Sequence, residues 1–176
     1  SLDNGDLAAA TTAALVQSYG MVAQIDDNNA LAVGDPSPNA EKRYQARFHF
    51  DPNSMVMAQG DAHELFRGFA GTWPAVLDVQ MRRWNGAYQV RAGLLDDSLT
   101  WRYSVWFALS DEPHSLEVGW QAATAPGANN GQLSFWLDGA LRSEITGVDN
   151  DTRQIDLVRL GAISSIDSGT RGSYYF

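Results

Sequence analysis

Apolar and polar residues alternate with a period of two along most of this chain, the signature of half-buried β-strands. Over 43–50, Tyr44, Ala46, Phe48 and Phe50 face one way and Arg43, Gln45, Arg47 and His49 the other. Over 76–84, Leu77, Val79 and Met81 oppose Asp78, Gln80 and Arg82. Over 88–95 the inward set is Tyr88, Val90, Ala92 and Leu94. An unbroken alternation over 101–109 gives Trp101, Tyr103, Val105, Phe107 and Leu109 one shared face, so Trp101 is expected on the core side. Leu116, Val118 and Trp120 point inward over 115–121, as do Leu133, Phe135 and Leu137 over 132–138. Further strands are expected at 19–25, 30–33, 63–70, 141–145, 154–163 and 172–176. Residues 7–16 form the one helical candidate, but their Thr pair suits a first strand equally well.

Turn chemistry punctuates these runs. Asp26-Asp27-Asn28-Asn29, Asp51-Pro52-Asn53-Ser54, Asp96-Asp97-Ser98 and Asp111-Glu112-Pro113 are turn sequences, and Asn85-Gly86 is the strongest hairpin signal. Short strands spaced by turns predict an all-β, two-sheet antiparallel sandwich. Crossover helices, which a parallel α/β fold needs, are missing from the pattern.

Composition narrows the function classes. Hydrophobic residues make up 44% of the 176, enough for a real core in one domain spanning 1–176. The formal charge of −9 argues against nucleic acid and against an anionic membrane surface, and is compatible with calcium. With no cysteine there is no disulfide framework or thiol chemistry. No apolar run is long enough to span a bilayer, so direct membrane insertion is not expected. The abrupt start at Ser1-Leu2-Asp3-Asn4 and the finish inside a strand suggest a domain excised from a longer, exported polypeptide.

His114-Ser115-Leu116-Glu117-Val118-Gly119-Trp120, a loop, and Leu133-Ser134-Phe135-Trp136-Leu137-Asp138-Gly139 resemble the hairpin of laminin-G-like and concanavalin A-like jelly rolls. Pro113 stands where that pattern has a Trp. Residues 47–54, 80–83, 88–93, 147–153 and 169–176 are similar to stretches of bacterial extracellular laminin-G-like domains. The resemblance implies a jelly-roll fold and an extracellular or cell-surface setting. It also implies a choice among lectins, adhesion modules, glycoside hydrolases and polysaccharide lyases, because this fold does not fix function.

The candidate chemistry follows from the outward-facing residues. Hydrolases of this fold carry paired carboxylates on one strand, whereas Asp78, Glu117 and Asp138 are single residues on separate strands. A lyase-type groove is suggested by Gln45, Arg47 and His49 with Gln80, Arg82, Gln89 and Arg91 nearby, although polar alternation predicts a solvated strand face equally well. His49, His63 and His114 have no zinc-binding spacing, and no G-x-S-x-G elbow is present. Trp84, Trp106 and Trp136 point away from the core beside Arg82, Arg91, Arg102 and Glu117, a combination that suits sugar stacking or packing against a neighbouring domain. The ligand-binding candidates are therefore Arg47, His49, Gln80, Arg82, Gln89, Arg91, Arg102, Trp106, Glu117 and Trp136. For Ca2+, structural or ligand-bridging, the candidates are Asp26 with Asp27 and Asp149 with Asp151; Asp96 with Asp97 is a third acidic pair.

The expected function is a non-catalytic, carbohydrate- or surface-binding adhesion module. Its expected partners are a glycan or other cell-surface component and neighbouring domains of the same polypeptide. One alternative is a self-associating structural domain of a surface fibre or layer, since an unfinished edge strand can accept a neighbour. The other is a polysaccharide lyase or glycoside hydrolase.

Overall fold

The computed structural model describes residues 5–176 and is all-β apart from one 3-10 turn, Thr11–Ala13. Residues 1–4, the abrupt start, lie outside the described residues. The strands are β1 (Leu7–Ala10), β2 (Gly20–Ile25), β3 (Leu31–Asp35), β4 (Arg43–Phe50), β5 (Ala62–Phe69), β6 (Ala75–Trp84) and β7 (Ala87–Leu95). They continue as β8 (Trp101–Tyr103), β9 (Phe107–Leu109), β10 (His114–Gln121), β11 (Gly131–Leu137), β12 (Ala140–Val148), β13 (Leu157–Ala162) and β14 (Gly172–Tyr175).

They form a jelly-roll sandwich of antiparallel sheets. One layer is seven-stranded, in the order β3-β13-β5-β6-β7-β8, with β9 also on β7. The other has the order β12-β11-β10-β4. Its β4 end meets a three-stranded sheet, β1-β2-β14, through reciprocal Asp51 and Tyr175 backbone hydrogen bonds of 3.0 and 3.1 Å. Between the layers lies the core that alternation predicted. Leu77, Val79, Met81, Val90, Ala92 and Leu94 meet Leu116, Val118, Trp120, Leu133 and Phe135, all essentially inaccessible.

Two hairpins follow directly from their turn residues. Asn85 and Gly86 have φ of 50 and 77°, and Asp138 and Gly139 have φ of 54 and 74°. Two successive left-handed residues make the tight turn whose twist matches the strands it joins, and Asn-Gly or Asp-Gly adopts it at least cost. Thus Trp84 pairs with Ala87, and Leu137 with Ala140.

Two departures from simple alternation shape the outer face of the seven-stranded sheet. In β5 the register shifts between Glu64 and Phe66. That bulge buries Leu65 and Phe66 together in the core and turns Glu64 and Arg67 outward to one network. The run 101–109 is two strands rather than one. Ser104 Oγ accepts the Ala92 N–H at 3.2 Å, and its own N–H bonds Ala92 O at 2.9 Å. The kink reverses the phase: Phe107 and Leu109 pack inward, but Tyr103 and Trp101 stack on each other outside, 5.4 Å apart. Trp101 is therefore not a residue of the main core; it packs on a small cluster with Phe69 and Ala75.

Candidate functional site

Side chains that alternation sends outward from β6 and β7 stand opposite one another: Asp78 with Gly93, Gln80 with Arg91, and Arg82 with Gln89. The loop between β8 and β9 lays Trp106 over this surface. Arg82 sits 4.3 Å and Arg91 4.4 Å from the Trp106 ring centre, and Arg82 is also 5.0 Å from that of Trp84. Arg91 lies 3.8 Å over the Tyr103 ring as well. Each guanidinium is held by an amide: Arg82 Nε donates to Gln89 Oε1 at 2.7 Å, and Arg91 Nε to Gln80 Oε1 at 2.8 Å. Among the described residues neither arginine forms a salt bridge, so both charges are fixed in place and uncompensated by direct contact.

Beneath them runs a buried polar network. Asp78, wholly inaccessible, accepts from Arg67 Nε (3.2 Å), Gln80 Nε2 (2.8 Å) and the Tyr103 hydroxyl (3.0 Å). Glu64 accepts from Arg67 Nη2 (2.7 Å) and the Ser164 hydroxyl (2.6 Å). Burial pushes Asp78 up to about 6, outweighing the Arg67 guanidinium, with the Glu64 charge acting in the same direction as burial. Burial, helped by Asp78, raises Tyr103 well above the ordinary phenol value. The surface continues past Arg67 into a cleft of about 330 Å3 that includes Trp73, Leu99 and Trp101.

The sequence-derived candidates divide between the two sides of the sandwich. Gln80, Arg82, Gln89, Arg91 and Trp106 come together as just described. Arg47, His49, Glu117 and Trp136 lie on β4, β10 and β11 of the other layer, where Glu117 stands opposite both Arg47 and Trp136 and hydrogen-bonds Gln45. The lyase-type grouping of Gln45, Arg47 and His49 with the β6 and β7 arginines is thus not assembled. Arg102 turns away from Tyr103 to pair with Asp96 at 3.1 Å. Sequence reasoning missed Glu64, Arg67, Tyr103 and Ser164. The first two were hidden by the β5 bulge and Tyr103 by the kink at Ser104, and nothing local marked Ser164.

Of the calcium candidates, Asp27 closes its own turn, accepting the Asn29 N–H at 2.7 Å, and Asp26 is exposed. Asp149 and Asp151 instead meet Asp97, with one carboxylate oxygen from each within 4.8 Å of the others. Burial and the carboxylates of Asp97 and Asp149 raise the pKa of Asp151. Asp97 also pairs with Arg153 at 3.1 Å. The hard oxygen donors fit a divalent cation such as Ca2+, which would complete its shell with backbone carbonyls and water.

No family model matches the chain, and no curated protein matches it. Solved structures do. The endo-β-1,4-glucuronan lyase of the fungus Trichoderma reesei superposes with a TM-score of 0.67 at 13% identity, over 98% of this chain and 85% of that one. A mutant of alginate lyase Aly36B in complex with alginate tetrasaccharide gives 0.60 at 10% identity, over 99% and 82%. The globular domain of T. cruzi calreticulin gives 0.58 at 13%, over 90% and 71%. At such identities the likeness establishes the jelly-roll, concanavalin A-like fold and nothing finer.

Proposed function

We propose that the outer face of the seven-stranded sheet is a non-catalytic glycan-binding surface selective for acidic sugars. The observation that carries this reading is the pair Arg82 and Arg91. Both stack on the half-buried Trp106, both are oriented by glutamines, and neither is neutralised by a carboxylate contact. A planar, pre-oriented guanidinium matches a carboxylate with two parallel hydrogen bonds, while Trp84 offers an exposed ring for a sugar face. Gln89 Nε2 supplies a hydroxyl partner, while Gln80 and Tyr103 hold the geometry of the arginines above them. That similar folds include a glucuronan lyase and an alginate lyase bound to alginate tetrasaccharide accords with a uronate-bearing ligand.

Two features favour binding over lyase or hydrolase chemistry. Tyr103 is a poor base because its hydroxyl is committed to Asp78 and its pKa is raised. Glu64 and Asp78 are buried and engaged by Arg67, so they do not flank an open sugar site. Calorimetric titration with oligouronates and with neutral oligosaccharides of equal length tests the proposal. The acidic series should bind more tightly, with Trp106→Ala and Arg91→Ala each weakening it by about tenfold or more. Equal affinity for neutral chains, or variants that bind like the parent, would remove the assignment. An unsaturated sugar product accumulating on incubation would instead establish a lyase.

The same reading gives the Asp97, Asp149 and Asp151 cluster a structural Ca2+, in a module working outside the cytosol, where free calcium is high enough to fill a weak site.

A further inference from the structure

Away from that surface, the turn between β9 and β10 brings together three side chains that neither glycan binding nor the core uses. Ser110 Oγ lies 2.8 Å from His114 Nε2, and His114 Nδ1 lies 2.8 Å from Asp138 Oδ2. Asp138 is fixed in turn by the Ser115 N–H, 3.0 Å from its other oxygen, and by its own N–H on Ser115 O at 2.8 Å. These bonds, with the His114 imidazole beside it, hold the Asp138 carboxyl below the usual carboxylate range against the opposing effect of burial. An ionised Asp138 accepts Nδ1–H, which leaves the Nε2 lone pair to accept the Ser110 hydroxyl proton. The imidazole is largely sheltered, whereas Ser110 is exposed on the rim of a cleft of about 620 Å3. Met55, Val56, Met57 and Leu109 give that cleft an apolar wall, and Arg83 is the cation lining it.

We propose that Ser110, His114 and Asp138 form a nucleophilic triad that cleaves small carboxylic esters whose acyl group fits this apolar cleft. Such constellations are defined by geometry and role rather than by chain order, so the missing nucleophile-elbow motif is no obstacle. Ser110 Oγ bonds to the ester carbonyl carbon as His114 Nε2 takes the hydroxyl proton. The carbonyl C–O bond to the alcohol then breaks, and the alcohol leaves with that proton. Water, deprotonated by the same imidazole, attacks the acyl-serine, releases the carboxylic acid and restores Ser110 and His114. Arg83 is the charge available to the developing oxyanion. Asp138 is a positioning residue: it fixes the imidazole tautomer and does not touch the substrate.

The test is labelling of the intact chain with a fluorophosphonate, which reacts with activated serines, followed by peptide mapping and by p-nitrophenyl butyrate turnover. A single adduct at Ser110 is expected, absent from Ser110→Ala and from heat-unfolded protein. His114→Ala should slow labelling by about 100-fold or more. Asp138→Asn can keep the Ser115 N–H bond and tolerates the left-handed turn, so the fold should survive. Its labelling should nonetheless slow by about 100-fold or more, with a pH–rate profile that departs from the parent's, a change a merely structural Asp138 would not produce. Melting curves confirm that each variant is folded. No adduct on the folded wild type, an adduct elsewhere, or unchanged turnover in Ser110→Ala would overturn the proposal.

Discussion

At the scale of single residues, two buried titrating groups pull stability in opposite directions. His63 is enclosed beside Tyr174, with which its Nε2 shares a hydrogen bond, and burial pushes its pKa down from 6.5 to about 4. Its native state holds fewer protons than the unfolded chain in that interval, so acidification through it destabilises the fold. Asp78 does the reverse. Its pKa is raised from 3.8 to about 6, its native state holds more protons there, and acidification relieves the cost of a buried charge. Asp78→Asn removes that relief while Glu64 still pairs with Arg67. Urea unfolding of parent and variant should therefore diverge with pH: between about pH 7 and pH 4 the variant should lose about 2 to 3 kcal/mol more than the parent. Parallel curves would mean that Asp78 ionises normally in the native state.

Element geometry decides whether the binding surface exists at all, and Gly93 shows how. A methyl group placed on Gly93 would lie 2.3 Å from Tyr103 Cδ1 and 2.5 Å from Cε1, so the tyrosine ring occupies the space that a side chain would take. Backbone at Gly93 is not in the left-handed region, and alanine can adopt it. Gly93→Ala should keep the sandwich at a cost of about 1–3 kcal/mol from overpacking. It should also dislodge Tyr103 from Asp78 and Arg91 and weaken acidic-glycan binding by about tenfold. Thermal melts and glycan titration check the two effects separately, and undiminished binding would show that Tyr103 plays no part. This dependence also explains what was legible in the sequence. Where strands are regular, as in β6, β7, β10 and β11, period-two alternation told inside from outside correctly, and Asn85-Gly86 and Asp138-Gly139 marked their turns. Alternation assigned no faces to β5, where the bulge breaks the period, and it failed over 101–109, where the kink at Ser104 puts Trp101 and Tyr103 out of phase with Phe107 and Leu109. Those two irregularities are what bring Glu64, Arg67 and Tyr103 into the polar network.

Across the whole molecule, alternation could say that Arg47 and Arg91 both face outward but not that they face outward from opposite layers, because layer assignment depends on strand order. The same is true of the acidic loops. Asp97 follows β7 of the seven-stranded sheet, while Asp149 and Asp151 follow β12 of the other layer, and the Asp97 N–H already bonds Asp149 O at 2.8 Å. In a chain of net charge −9, three carboxylates at that seam repel one another, and Arg153 neutralises only part of the charge. A cation held there would tie the two layers together and convert repulsion into coordination. Because the seam exists only in the folded chain, binding should appear as stability. At millimolar Ca2+, a site of the weak extracellular class would see about 1 to 10 times its Kd, stabilising the fold by roughly 0.4–1.4 kcal/mol. For a domain of this size that is a rise in Tm of about 1–6 °C. Mg2+ at the same concentration should do much less, since it demands a tighter octahedral shell than an open, partly solvated cluster offers. Asp151→Asn, which takes one charge from the cluster without changing its shape, should abolish most of the Ca2+ shift while raising the metal-free Tm through reduced repulsion. A Ca2+ response that survives this substitution would place the ion elsewhere, and no response in the parent would leave the cluster as a repulsive seam that Arg153 and Thr152 help to hold.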